Sequence, residues 1–392
     1  MKLFHLSDLH IGKRVHEFSM IEDQKYMLTQ ILQAVMREKP DGVLISGDVY
    51  DRTIPTAEAV QVLDAFLTSL SEQEVPVFII SGNHDSAARL NCFRSILSRQ
   101  NVYMIGTPPT TEEEYIEKVT LQDAYGDLHF YLLPFVKPSM VREIVGTRED
   151  GTQHSYDEAL HLLIERENID TKERNVLVSH QFYLPAGKEA EEVERMDSEI
   201  RTVGNIDEVS AEILQLFDYA ALGHIHKPQA MGREMVRYAG SILKYSFSEI
   251  HHKKSVTIVE MKEKGNVEIS TKELAPLRDW CEMKGTYMEL TEKAYYENLD
   301  QDSYMHITLT DEEDIPEAVR KLQVIYPNLM KLDYDNQRTR GKAAFLEAAE
   351  AEEKTPFDIF EELYEKQNNQ EMNEEQKKLI HDLIEKIWEG GH

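Results

Sequence analysis

The sequence predicts an α/β protein, and three observations carry that prediction. Apolar runs of strand length recur along the chain as far as Glu260. Stretches with helical spacing of apolar residues lie between several of them. Five of the runs end in a polar cluster. Continuous apolar runs suit strands buried on both faces, and open α/β sheets place their sites at the C-terminal ends of such strands.

In order, Leu3-Phe4-His5-Leu6 leads into Ser7-Asp8-Leu9-His10. Gly42–Ser46 leads into Gly47-Asp48-Val49-Tyr50-Asp51, and Val75–Ser81 into Gly82-Asn83-His84-Asp85. Val176–Ser179 leads into His180, and Tyr219–Leu222 into Gly223-His224-Ile225-His226. Glu17–Lys39 reads as a helix with Leu28, Ile31, Leu32 and Val35 in register, ended by Pro40. Thr56–Ser71 is a second. Ser86–Arg99 is a third, with Ser86 as N-cap and Leu90, Phe93 and Leu97 as a core stripe. Val102–Ile105, Ile116–Leu121 and Leu128–Leu133 read as strands and Tyr156–Arg166 as a helix. Lys188–Glu199 is acidic and unpatterned, and reads as a mobile loop. Val236–Ala239, Val256–Met261 and Val267–Thr271 complete the sheets.

A boundary falls near Ala275-Pro276. Beyond it Tyr287–Leu290, Met305–Leu309 and Leu329–Tyr334 read as strands and Asp314–Ile325 as a helix. A basic run, Arg338-Thr339-Arg340-Gly341-Lys342, precedes a tail of two helices, Phe357–Gln367 and Asn373–Trp388. Three domains follow: 1–275, 276–340 and 341–392. Each tail helix carries an apolar stripe. The stripes either pack within the chain or seat in a partner's groove.

Only Cys92 and Cys281 are present, so no disulfide framework is expected. The N-terminus runs straight into a strand, leaving no room for a signal peptide, and no apolar run approaches membrane-spanning length. These features predict a cytoplasmic protein with no membrane partner. The net charge is −29, adverse for a nucleic-acid binder. Residues 227–254 run the other way, with Lys227, Arg233, Arg237, Lys244, Lys253 and Lys254 against Glu234 and Glu249. Two readings stand: a solvated hairpin, or a rim contacting phosphates, with Lys227, Arg233, Lys244, Lys253 and Lys254 as DNA contacts.

Alternation along a strand puts Asp8 and His10 on one side, half of a divalent-metal site. The clusters downstream supply the rest. Mixed Asn/Asp/His donors favour Mn²⁺ or a similar first-row ion over Mg²⁺, which prefers an oxygen shell. Two such ions stabilise the charge of phosphodiester cleavage and activate a water. Asp51 and Asp85 either orient imidazoles or serve the turns after the strands. His5 reads as core or as support for a ligand. His129, His154 and His161 read as solvent-exposed, and Trp280 and Trp388 as packing anchors.

Asp-x-His, Gly-Asp-x-x-Asp, Gly-Asn-His-Asp, a lone His and Gly-His-x-His, in this order, resemble the calcineurin-like metallophosphoesterases. Among them the flanking residues Ile11-Gly12, Ser86, Lys227-Pro228 and Gly240-Ser241-Ile242 are similar to a branch of bacterial nuclease subunits. The resemblance implies a two-sheet α/β/β/α sandwich, a small α/β capping domain and a C-terminal helical tail. It implies that Asp8, His10 and His226 hold one metal, that Asn83, His180 and His224 hold the other, and that Asp48 bridges them. His84 then binds no metal and acts as general acid. It further implies a homodimer paired through helices near Ser86–Arg99, a cap that grips DNA, and a coiled-coil ATPase partner on the tail, two copies of each. The activity implied is 3′→5′ exonuclease on duplex DNA and endonuclease on single strands and hairpins. A phosphatase acting on nucleotides or phosphoproteins is the alternative, and a scaffold with structural metals a third. The cap, basic stretch and tail favour the nuclease, and an unligated His84 disfavours the scaffold.

Overall fold

The computed structural model describes residues 1–185, 193–199 and 207–337. It also describes positions 339, 357, 360, 361, 364, 372, 373, 376–380, 383 and 384. The chain forms two compact units. The first takes Met1–Met283, Asp300–His306 and Gln323–Lys331. The second takes Lys284–Leu299, Ile307–Leu322 and the described residues from Leu332 on.

In the first unit two six-stranded sheets face each other. One runs Val267–Glu273, Ser255–Met261, Lys2–Leu6, Gly42–Ser46, Val77–Ile80, Val102–Ile105, the last four parallel. The other runs Gln229–Met231, Arg233–Tyr238, Tyr219–Gly223, Arg174–His180, Gly126–Leu133, Glu117–Asp123, the middle four parallel. Strand residues alternate in direction, so each apolar run feeds two cores. Leu3, Leu44, Phe78 and Ile80 point inward and meet Leu128, Phe130, Val176 and Val178 of the facing sheet. Phe78 and Phe130 stack there at 4.3 Å between ring centres. Phe4, Val43, Ile45 and Ile79 point outward against Leu28, Ile31, Leu63 and Phe66 of helices Ile21–Glu38 and Ala57–Glu72. Leu177, Ala220 and Val236 pack on Leu160 and Leu163 of helix Tyr156–Glu165. The order is helix, sheet, sheet, helix.

Local chemistry sets the helix ends. The Thr56 side chain accepts from Ala59 N, and Ser155 and Glu158 form a reciprocal capping box. Lys39, at φ 47°, ends the first helix ahead of Pro40. That helix starts at Ile21 rather than Glu17. Arg14–Val15 and Phe18–Ser19 pair as a small hairpin, with His16 and Glu17 left-handed at its turn.

The third expected helix is two short ones, Ala87–Leu90 and Arg94–Leu97. Phe93 sits between them at φ 63° and is 74% exposed, so the core stripe fails at that position. A left-handed residue breaks the 3.6-residue period on which the stripe depended. Tyr287–Leu290 is helical, not extended. Thr286 and Glu289 form a capping box, and this Thr-x-x-Glu signal outweighs the apolar run beside it. The strand lies just before it, Trp280–Gly285, and pairs into a three-stranded sheet with Tyr304–Leu309 and Leu329–Tyr334. Only Ala318–Leu322 of the expected helix 314–325 is helical. Trp280 is a packing anchor, 4.6 Å from the Phe247 ring. His129 is buried between Thr120 and Glu173, and His154 and His161 are half-buried beside Glu158 and Asp157. Each imidazole has found a polar partner near its own strand or helix, which spacing from other histidines does not register. Most of the basic run 338–342, most of both tail helices and Trp388 lie outside the described residues, as do positions 188–192 of the acidic loop.

Candidate metal centre

The loops that leave the strands meet at one end of the sandwich. Asp8 and His10 lie beyond the end of their strand at Leu6, with φ 52° and 43°. Their shared direction therefore comes from two left-handed bends and not from the pleat. Asp48, at φ 48°, and His224, at φ 103°, are also in sparsely populated backbone. Such strain persists where the surroundings over-determine it. Here Asp8 N donates to Gly47 O, His10 N to Asp48 O and Ile11 N to Val49 O, so loops 7–11 and 47–50 run bonded side by side. Asp85 accepts from Val49 N, Tyr50 N and Gly82 N at 2.9–3.0 Å, which ties the Asp48 loop to the Asn83 loop. Burial, with the nearby Asp48 charge, pushes its carboxyl up to about 6. The Asp8 carboxylate accepts from His224 N at 3.1 and 3.2 Å and joins the two sheets.

The glycines serve close approach. A Cβ at Gly223 would strike Ser46 O, and one at Gly82 would strike the Asp48 carboxylate.

Within this frame the donor atoms form two groups. His10 Nε2 and His226 Nε2 are 3.1 Å apart, beside Asp8. Asn83 Oδ1 stands 3.1 Å from both His180 Nε2 and His224 Nδ1. Asp48 Oδ2 lies between, 3.6 Å from His10 Nε2 and 3.4 Å from His180 Nε2. Nitrogens about 2.1 Å from a common ion at right angles stand about 3 Å apart, the spacing of the His10–His226 pair. His10 Nδ1 and His224 Nε2 are buried without a hydrogen-bond partner among the described residues. Burial holds both imidazoles well below their usual range, and so neutral, as metal ligands must be. Burial works to raise Asp48, but His180, His84 and His10 hold it well below the carboxylate range. Asp8 is raised by burial. His180 and His226 go the other way: against burial, the Asp48 carboxylate raises His180 to about 9 and Glu249 with Asp8 raises His226. A divalent ion at these nitrogens would replace those protons.

His84 lies beside both groups, with a ring nitrogen within 4.8 Å of donor atoms of His10 and Asp48. Its backbone N donates to Asp48 Oδ1 at 2.9 Å, and its Nδ1 lies 3.1 Å from Asp51 O. A carbonyl only accepts, so Nδ1 carries the proton and Nε2 faces the site, 3.9 Å from Asp48 Oδ2. Asp51 pairs with Lys13 at 2.7 Å and lies 3.7 Å from His10 Nδ1. Asp85 bonds the three backbone N–H groups and so does the loop chemistry, while Asp51 stands near an imidazole.

The basic stretch divides. Lys253 is exposed, paired at 3.1 Å with Glu273, and Arg233 is exposed with its guanidinium on Leu214 O and Phe217 O. Lys227 is half-buried beside Glu194. Lys244 and Lys254 do not belong to a rim. Lys244 is buried, bonded to Asp279 and to Ile250 O. Lys254 is buried against Glu249, with further bonds to His226 O and Ser241 Oγ. Adjacent residues entering a strand face opposite ways, which a charge count does not register.

Two supports were absent from the motif series. Gln24 donates from Nε2 to His10 O, Leu9 O and Tyr245 Oη while Gly12 N donates to its Oε1. Tyr245 donates to Leu9 O and sets its ring edge-on to His10 and His226. His5 bonds Tyr219 Oη at 2.8 Å and Ser46 Oγ at 3.1 Å, and Ser46 O accepts from His180 Nδ1 at 2.7 Å, so His5 stands behind a ligand.

A carboxylate bridge between two imidazole-rich pockets, at strand ends of a double sheet, defines a class. The profile of the calcineurin-like phosphoesterases matches residues 1–228, and the chain belongs to that family. It is a metal-dependent phosphoesterase. Residues 273–368 match the type 5 capsule protein repressor C-terminal domain. Over nearly its whole length the chain is similar to SbcD of the nuclease SbcCD from Staphylococcus epidermidis, 30% identical over 388 residues, 98% of each chain. Among solved structures, a dimetal phosphatase from Danio rerio aligns over 71% of this chain and 98% of its own, at 14% identity and a TM-score of 0.39.

Proposed function

We propose that this protein is a Mn²⁺-dependent DNA nuclease, the catalytic subunit of an SbcCD-type complex acting in DNA repair, replication and recombination. The observation that carries the chemistry is Asp48 Oδ2 placed between the His10 and His180 imidazoles. The substrate rests on the similarity to a nuclease component along 98% of both chains. In this reading Asp8, His10 and His226 hold one ion, Asn83, His180 and His224 the other, and Asp48 bridges. Ions bound there would neutralise charge on the phosphoryl oxygens and lower the pKa of a bound water. His84 keeps its Nδ1 proton on Asp51 O and presents Nε2 towards the leaving oxygen; as the imidazolium it gives the Nε2 proton to that oxygen and is left as the neutral Nδ1–H ring, a contribution of ~10²–10⁴-fold. Arg233 and Lys253 remain as exposed backbone contacts for DNA.

The activity on this reading is 3′→5′ exonuclease on duplexes and endonuclease on single strands and hairpins. Residues 276–340 form the cap and 341–392 the linker and tail that dock an SbcC-type ATPase. Two copies of each make the cytoplasmic complex. Phe93, between the two short helices, and Ile96, on the second, are 74% and 62% exposed and support the homodimer.

The test is purified protein with Mn²⁺, given linear duplex DNA and, separately, a small phosphomonoester. Cleavage of DNA in preference is expected. Turnover of the monoester alone would select the phosphatase.

A further inference from the structure

His226 is held by residues that lie outside its own motif. Its backbone N donates to Glu199 Oε1 at 2.7 Å. Its carbonyl accepts from Ser241 N at 3.1 Å and from Lys254 Nζ at 3.0 Å. Its Nδ1 lies 2.8 Å from Ser198 Oγ. Ser198 and Glu199 belong to the acidic segment before the last ligands, whose sequence shows no pattern.

The direction of each bond follows from proton counting. Ser198 Oγ donates to Glu249 Oε1 at 2.7 Å. Glu249 is fully buried and paired with Lys254, so its carboxylate accepts only. The serine has one hydroxyl proton, and it goes to Glu249. Ser198 Oγ must then accept from His226, which puts a proton on Nδ1, so that in the neutral ring the Nε2 lone pair faces Asp8 and His10. Without the hydroxyl, Glu249 Oε1 stands 3.7 Å from Nδ1, beyond a hydrogen bond. The other tautomer, with Nε2–H, would place a proton where an ion must bind.

We infer that Ser198, backed by the Glu249–Lys254 pair, is a positioning residue that selects the His226 tautomer able to ligate metal. The inference rests on the two-ion reading of the centre. It gives part of the acidic segment a role in one half of the centre. His180 gets the same service from a backbone carbonyl, Ser46 O. The hydroxyl can be removed by substitution and the carbonyl cannot, so Ser198 is the testable case.

The experiment is titration calorimetry of the full chain with Mn²⁺ as the probe, on the parent, Ser198→Ala and Ser198→Thr. Supporting contacts of this kind are worth about 10–100-fold in metal affinity. Ser198→Ala should weaken one of the two ions by about that factor and leave the other unchanged, with a melting temperature lowered only by the loss of one hydrogen bond to Glu249. Ser198→Thr, which keeps the hydroxyl, should restore the weakened ion. Ser198→Ala with both parental affinities overturns the inference. So does equal weakening of both ions with a melting point lowered further, which is loss of local structure, or a threonine variant as weak as alanine. Failure of the parent to bind two Mn²⁺ would instead defeat the two-ion reading itself.

Discussion

Replacing Lys254 with methionine keeps the length of the stem and deletes the ammonium. The Lys254 side chain is 3% exposed, and its Nζ bonds the Glu249 carboxylate at 2.5 Å, Ser241 Oγ at 2.8 Å and His226 O at 3.0 Å. In the variant Glu249 stays buried, with Ser198 Oγ, Tyr245 N and Ser246 Oγ still donating to it. Removing one partner of a buried ion pair costs about 3–5 kcal/mol. The three remaining donors put the expected loss at the lower end, ~3 kcal/mol. At about 2–4 °C per kcal/mol for a large domain, the melting point should fall by roughly 6–12 °C. Lys253→Met is the control. That side chain is 78% exposed and its pair with Glu273 is worth ~0–1 kcal/mol, so the melting point should hold. Differential scanning calorimetry of the two variants reads the difference, and DNA binding at two salt concentrations reads the role. Lys253→Met should weaken DNA binding slightly and flatten its salt dependence. Equal, small thermal shifts for both, with equal loss of DNA affinity, would refute the burial argument and return Lys254 to the rim. Reversing both lysines to glutamate would confuse the two effects, because it sets a second carboxylate against Glu249.

Other outcomes are expected on the same grounds. His84→Ala should lower DNA cleavage by ~10²–10⁴-fold with two ions still counted by elemental analysis, whereas Asp48→Ala should lose ions and activity together. Asp123→Asn should cost about 1–3 kcal/mol, because the Asp123 carboxylate accepts from the Arg174 guanidinium, at 2.6 and 3.2 Å, and from Tyr125 N. Burial opposes ionisation of Asp123, but Arg174 and the Met1 amino group hold its carboxyl far below the usual range. A depressed folded pKa stabilises above the unfolded value near 3.9, and that part is lost as pH falls. The gap between parent and variant in urea melts should therefore be constant above about pH 5 and narrow below about pH 4. Deleting residues 355–392 should leave Mn²⁺-dependent cleavage of single strands and abolish co-purification with the ATPase. Full-affinity capture by the truncated chain would put that interface elsewhere.

The centre was legible because its candidate ligands sit just beyond strand ends. An apolar run fixes where a strand stops, and the polar residues just beyond can only be at the sheet's edge. That logic located the five clusters from Asp8 to His226 as one set without knowledge of the sheet order, while the choice of ligands within them came from the family resemblance. It gave a wrong reason in one place. Asp8 and His10 share a direction through left-handed backbone at both residues, and no spacing rule reports φ. Two of the supports, Gln24 and Tyr245, were not legible. Gln24 lies in a helix that periodicity treats as a packing element, and Tyr245 is 236 residues from the Leu9 carbonyl it bonds.

The basic stretch shows the physical limit most clearly. A net charge over 28 residues measures composition, while function depends on which atoms reach water. Lys253 and Lys254 are neighbours of the same type, yet one meets solvent and the other neutralises the carboxylate that orders Ser198. The excess of positive charge is thus partly consumed inside the protein, against Glu249 and Asp279. What remains outside is smaller than the count implied, and the bulk acidity of the chain is correspondingly less offset. Strong duplex binding by this chain alone would then require another source of attraction. Ions held at the centre would supply some positive charge, and a partner can supply the rest. The charge balance therefore favours an enzyme whose hold on long DNA depends on assembly. Comparing the salt dependence of DNA binding by the isolated chain and by the assembled complex puts a number on that dependence.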